Sequence, residues 1–314
     1  VGHQVLAHVV RSGFVESVHH GSAVALGPDG DPVVTVGDPD GPILPRSANK
    51  PLQAAAMLRA GLRLDGQLLA LAAASHSGEH FHVDGVRRML ASVRLDEAAL
   101  QNTAGLPLGE QERIEWQRAG RGPARLVQNC SGKHAAMLVT CWENGWPTDT
   151  YRSADHPLQK QILETVAELA GEPVTDAAVD GCGAPALALT LTGLARAFGR
   201  LARSAPDTCE GRVAVAVRRY PEWLGGTGRG VTRLVRAVPG LIAKDGAEAV
   251  LAAGLPDGRA VAVKIGDGAE RATLPVLVEL LRRLGEDAPE LDELADVPVL
   301  GHGEPVGSVR PAGF

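Results

Sequence analysis

Aromatic residues make up only 3% of the 314-residue chain: four Trp, four Phe and two Tyr. Platforms that stack bases or sugars on aromatic faces would have few side chains to use. Cysteine is also scarce, with four in the whole sequence, so a disulfide framework is excluded and a reducing interior is the expected setting. An excess of basic charge is missing as well. Thirty-one Lys and Arg against 37 Asp and Glu give a net charge of −6 and a sequence pI near 5.9. That balance offers no cationic surplus for releasing counterions from nucleic acid, so no nucleic-acid partner is expected. No apolar run approaches the roughly 18–20 residues that span a bilayer; the longest candidates resemble Leu68–Ala74. No membrane partner is therefore expected. The opening residues carry no basic, apolar and small-residue leader pattern, which makes the expected location cytoplasmic. Val1 is not a methionine, so whether a leader was removed before it is left open.

What is present is an ordinary globular balance, 45% hydrophobic and 22% charged, with enough length to bury a sizeable core. Thirty-eight Gly and 21 Pro exceed the average share; they are not periodic, which excludes a repeat protein, and they gather beside polar residues. Alternation over Gln4–Val10, Phe14–Leu26 and Asp31–Val36 predicts an antiparallel meander of three strands. Helical patterns follow over about Ala48–Ala60, Gly66–Ala74, Asp84–Val93, Glu110–Ala119, His134–Asn144, Pro157–Ala170, Pro185–Phe198 and Arg212–Tyr220. Strands return at Leu241–Lys244, Ala247–Leu255 and Arg259–Ile265, then a helix over Ala269–Leu284, an acidic linker over Glu286–Asp296 and a Gly/Pro-rich tail. The expected fold class is α+β, one antiparallel sheet assembled from both termini with an inserted helical lobe. The expected organisation is a single catalytic domain over 1–314, its sheet lobe from about 1–46 and 212–314 and its helical lobe from about 47–211.

Five polar clusters carry the chemistry. In Arg46-Ser47-Ala48-Asn49-Lys50, serine and lysine lie one helical turn apart. A neutral lysine amine can take the proton of a serine hydroxyl. With an ordinary pKa of about 10.4, that lysine needs burial and a second nearby cation to lose its proton at neutrality. Alone, such a spacing describes a capped helix and a solvated lysine. Pro51 is tolerable only if the helix begins near Ser47, which puts the hydroxyl at a positive helix end. Ala74-Ser75-His76-Ser77-Gly78-Glu79-His80 follows an apolar helix abruptly. Gln128-Asn129-Cys130-Ser131-Gly132-Lys133-His134 sets Cys130 before a helix, where the dipole lowers a thiol pKa. Asp180-Gly181-Cys182-Gly183 sets a second cysteine between glycines, ahead of the helix expected from Pro185. The two cysteines could ligate metal, act with a partner, or form a disulfide. Cys141 and Cys209 read as plain core or surface residues. Lys244 closes a strand before Gly246, and Lys264 repeats that pattern; either could be the second cation.

In this order the clusters resemble the bacterial L-asparaginase II family of the rhizobial type, whose fold is that of the serine β-lactamases and glutaminases. The likeness also covers Val15-Glu16-Ser17-Val18-His19 with Gly21, Lys50-Pro51, Gln53-Ala54, Gly246-Ala247-Glu248, and Val306-Gly307 with Val309-Arg310-Pro311. It implies an amidohydrolase that converts L-asparagine to L-aspartate and ammonia by serine–lysine acyl transfer. The tandems it implies are Ser47 with Lys50 and Ser75 with Lys244, with Ser75 preferred over Ser77 and Lys244 over Lys264. It implies substrate contacts from Arg46, His76, Asn129 and Asp180, a zinc ion held by Cys130, Lys133 and Cys182, a small amino-acid amide as partner, and a homodimer. The alternatives are a glutaminase-like or β-lactamase-like serine amidohydrolase, and a non-catalytic protein that binds zinc and an amino acid.

Overall fold

The computed structural model describes residues 2–314. Its main sheet has eight strands, running Pro298–Gly301, Glu304–Pro311, Gln4–Arg11, Phe14–Leu26, Ala260–Ile265, Val250–Gly254 and Ile242–Gly246, with Pro32–Val36 also paired to Phe14–Leu26. Every pairing is antiparallel. The sheet is thus built from both ends of the chain around a helical middle, an α+β architecture as expected. Successive residues of Val250–Gly254 and of Ala260–Val263 are buried, so both faces of these strands are covered. Helices Leu191–Arg203 and Thr273–Arg283 pack onto them. Small residues permit the close approach: a Cβ on Gly254 would meet the Phe198 carbonyl.

The helical middle forms one continuous core with the sheet. Lys50–Arg59 packs on Pro157–Ala170, Cys209–Arg219 and Ser131–Glu143, and is buried from Lys50 through Leu58. Pro157–Ala170 begins with proline in its first turn and ends at Gly171, φ +69°, the left-handed residue that closes a helix. Its span is the one read from sequence. Three readings need correction. Pro185–Phe198 is not one helix: Pro185–Leu187 and Leu189–Thr190 are short strands, paired with Ala177–Val179 and Pro42–Ile43, and the helix starts at Leu191. Helices continue to Ala237 before the sheet resumes at Ile242, later than the boundary near 212. The C-terminal tail is an inner strand, Glu304–Pro311, and the acidic linker holds the helix Glu290–Ala295.

Candidate active site

Ser47 stands in a 3-10 turn, Arg46–Asn49, that runs directly into the helix Lys50–Arg59. Pro51 falls in the first helical turn, where its missing N–H leaves no bond unmade. Arg46 takes a left-handed backbone, φ +51°, a strained setting for a residue with a side chain. Across the turn lies Gly246 at the end of the Lys244 strand; a Cβ there would press on the Pro45 carbonyl and come within 2.9 Å of the Ala48 nitrogen. Glycine therefore lets the strand and the serine turn touch backbone to backbone.

Lys50 is buried, 1% exposed. Its Nζ donates to the Ala74 carbonyl at 2.6 Å and to Ser75 Oγ at 3.0 Å, and lies 3.1 Å from Cys130 Sγ. The hydroxyl on Lys50 is thus Ser75. Ser47, half-buried, makes no side-chain hydrogen bond among the described residues. Ser75 is held in place from behind: its N–H donates to Leu224, and the His76 N–H donates to Asn129. His76 Nε2 is 2.8 Å from Ser131 Oγ, while its Nδ1 is buried without a partner. Burial first, then His82 and Lys50, push the His76 pKa well below its ordinary value, so the ring is neutral. Ser77 bonds the Gly225 carbonyl and stays apart from Lys50.

Lys244 is fully buried. Its Nζ donates to the Asp245 carbonyl at 2.7 Å and, more closely, to the Asp245 carboxylate. Asp245 in turn accepts from Arg229 at 2.6 Å. Burial lowers the Lys244 pKa to about 8; Asp245 opposes that, and the charges of Lys50 and Arg229 add to it. The two lysines therefore feel one another in a water-poor interior. Lys264 instead donates to the backbone carbonyls of Glu248 and Ile265.

The third group joins the second cysteine. The Asp180–Gly183 turn closes the hairpin between Ala177–Val179 and Pro185–Leu187, with Asp180 N–H donating to Ala184 and Gly183 N–H to Asp180. Cys182 is not ahead of a helix, as the sequence suggested. Lys133 Nζ lies 3.3 Å from Cys182 Sγ, and Cys182 Sγ 3.7 Å from Asp180 Oδ2. Arg46 donates to Asp180 at 2.8 Å, which ties this hairpin to the serine turn. A hydrogen bond with Cys182 lowers the Cys130 pKa; burial opposes that, and Lys50 and Lys133 reinforce it. The same bond raises Cys182, as does burial. Burial disfavours the Lys133 charge, yet Cys182, Cys130 and Asp180 outweigh it and the pKa is raised. Burial would raise the Asp180 carboxyl, but Lys133 and Arg46 hold it below its ordinary value. Asn129 sits beside Cys130, its Oδ1 3.3 Å from the sulfur. All four cysteines are free, so the disulfide alternative does not apply. Among the described residues no group of three or more His, Cys, Asp and Glu is placed to hold a metal; each sulfur instead meets a lysine amine, Cys130 that of Lys50 and Cys182 that of Lys133.

Residues 7–311 match the L-asparaginase II family. The chain belongs to that family. L-asparaginase II membership makes this an amidohydrolase. No curated protein matches the chain. Among solved structures it is similar to Mglu (16% identity, TM-score 0.47, 84% of this chain and 67% of that one). It is also similar to a β-lactamase from Mycobacterium bovis (17%, 0.44, 83% and 94%) and to EstCE1, a hydrolase with promiscuous acyltransferase activity (13%, 0.37, 93% and 93%). No helix is long and apolar enough to cross a membrane among the described residues.

Sequence reasoning missed Asp245 and Arg229. Asp245 stands between Lys244 and Gly246; Arg229 lies in Gly225-Gly226-Thr227-Gly228-Arg229-Gly230, whose glycine density was the available signal.

Proposed function

We propose that this L-asparaginase II family member hydrolyses the side-chain amide of L-asparagine to L-aspartate and ammonia through a serine ester. One observation carries the reading: a wholly buried lysine amine, Lys50, bonded to a serine hydroxyl and sharing its interior with a second buried lysine, Lys244. Burial, aided by the charges of Lys50 and Arg229, lowers Lys244 to about 8 against the opposing pull of Asp245, so a neutral amine is available in this interior near neutrality to act as the base.

Ser47 is the serine with a free hydroxyl and partial access to solvent. Its Oγ attacks the side-chain amide carbon while its proton passes through Ser75 to a neutral lysine amine; that proton is then handed to the amide nitrogen as the C–N bond breaks, and ammonia leaves. Water then cleaves the aspartyl ester and restores the serine. N–H groups at the start of the Ser47 turn would face the developing oxyanion. Arg46 and Asp180, paired at the rim, together with Asn129 and His76, line the expected substrate side. A second reading makes Ser75 the acylated residue, favoured by its direct contact with Lys50 and opposed by its burial, 4% exposed. Trapping the acyl-enzyme and mapping the modified peptide separates the two.

The donors Cys130, Cys182 and Lys133 suit zinc in chemistry: two thiols and an amine are sulfur and nitrogen ligands of the kind zinc takes, brought together where the hairpin meets the helix start. Bound zinc would supply a fixed positive charge beside the substrate. Lys133 must give up its proton to ligate, so binding releases protons. Glutamine as substrate is the near alternative, decided by pocket length. A homodimer is the proposed assembly, and light scattering on the purified protein tests it.

A further inference from the structure

Lys244 and Asp245 are neighbours on a strand, and successive strand residues ordinarily point to opposite faces. Here the two side chains meet: the strand ends at Gly246, and Asp245 turns back to take the Lys244 amine on both its carbonyl and its carboxylate. The other carboxylate oxygen is not free for Lys244, because Arg229 holds it at 2.6 Å. Arg229 is placed by its position immediately before the helix Gly230–Ala237, which packs against the Lys244 strand. The result is a linear chain, guanidinium to carboxylate to ammonium, leading from a partly exposed arginine, with 28% of its side chain exposed, to a fully buried lysine.

We propose that Asp245 and Arg229 are positioning residues for Lys244: Asp245 fixes the amine and helps retain its proton, and Arg229 limits that retention by sharing the carboxylate. The inference rests on the serine–lysine reading above and extends it to what governs the base. The charged groups facing Lys244 are Asp245 on its own strand, Lys50 from the helix Lys50–Arg59, and Arg229. The paired strand Val250–Gly254 and the turn Arg46–Asn49 bring no acid to it. Arg218 and Arg196, on the adjoining helices, spend their hydrogen bonds on backbone carbonyls elsewhere. Asp245 is thus the one carboxylate that counters the two neighbouring cations, and Arg229 competes for it.

The two residues should act in opposite senses. In Arg229→Gln the whole carboxylate turns to Lys244, the proton is held longer, and the rising limb of kcat/KM moves to higher pH. In Asp245→Asn the lysine loses its counter-charge and the limb moves to lower pH. Each displacement is expected at about one pH unit, a tenfold change in the proton equilibrium; Arg229→Lys, which keeps the charge, should restore most of the wild-type position. The experiment is the pH profile of ammonia release by the full-length chain and these variants. It is paired with a 13C NMR titration of the lysine side chains, assigned through Lys244→Arg. The NMR arm reads Lys244 even if asparagine is not hydrolysed, so failure of the proposed activity and failure of this inference are distinguishable. Opposite displacements in the two variants establish it. Limbs and lysine titrations that stay in place while activity falls at every pH, or that move the same way, overturn it. If Asp245→Asn does not fold, Arg229→Gln and Arg229→Lys decide alone.

Discussion

Lys50 Nζ lies 3.0 Å from Ser75 Oγ, although the serine one helical turn before it in sequence is Ser47. The contact joins the start of one helix to the segment that follows another, and it redistributes the expected tandems: Lys50 reaches Ser75, while Lys244 reaches Asp245. The proposed chemistry follows from this arrangement. A hydroxyl bonded to the lysine relays a proton, and a hydroxyl left free attacks.

Replacing Lys50 with Met removes the buried amine while keeping most of its volume. Turnover should fall by at least about 100-fold, the usual share of a positioned base. The fold should survive, because one charge is withdrawn from a crowded pair. Steady-state ammonia release and circular dichroism measure the two effects, and a variant with near-normal turnover would remove Lys50 from the mechanism.

The pH dependence has a definite sign. The base must be neutral, so activity rises as pH climbs through the titration of Lys244, with a limb near its lowered value of about 8. Asp180 works in the other range. Its folded pKa is below the ordinary carboxylate value, so the stability it contributes is complete above that ordinary value and is lost as pH falls through the folded one. Thermal melts across pH 2–6 should show less acid sensitivity in Asp180→Asn than in the parent chain.

Gly246→Ala should harm stability and activity together. The added Cβ would press on the Pro45 carbonyl and lie 2.9 Å from the Ala48 nitrogen; backbone atoms cannot step aside as a flexible side chain can. A loss of about 1–3 kcal/mol is expected from such overpacking, read as a lower midpoint in urea. An unchanged midpoint would mean that the strand and the Ser47 turn are not packed as tightly as described.

Zinc is tested without reference to turnover. Equilibrium dialysis should give one zinc per chain for the parent protein and none for Cys182→Ser, with affinity falling as pH falls because Lys133 and the thiols must be deprotonated. Equal zinc uptake by Cys182→Ser, or none by the parent chain, would dissolve the proposed ligand set.

Much of the fold could be read from the chain because its signals were local. Pro157–Ala170 has proline at its start, apolar residues on one face and a glycine at its end, and it forms over those residues. The N-terminal strands alternate and pair as expected. Where the reading failed, the decisive contacts were distant. Pro185–Phe198 is apolar without a clear period, and strand pairing with Pro42–Ile43 and Ala177–Val179 takes its first part. Gly307 made the tail look loose, yet a side chain there would collide with Val10 of the neighbouring strand, so glycine permits the pairing. In the site, residue types were legible and partners were not. Sequence spacing joined Ser47 to Lys50, and no local pattern could announce that residue 75 would arrive beside residue 50, or that Arg229 would reach Asp245.

The most direct test is ammonia release from L-asparagine by the purified chain and by Ser47→Ala, with aspartate measured in the same samples. The parent protein should release equal amounts of ammonia and aspartate, and Ser47→Ala should lose at least about 1,000-fold of that rate while melting like the parent. A Ser47→Ala chain that still hydrolyses asparagine at a comparable rate would contradict the assignment of the attacking hydroxyl, and a parent chain that releases no ammonia would contradict the proposed activity itself.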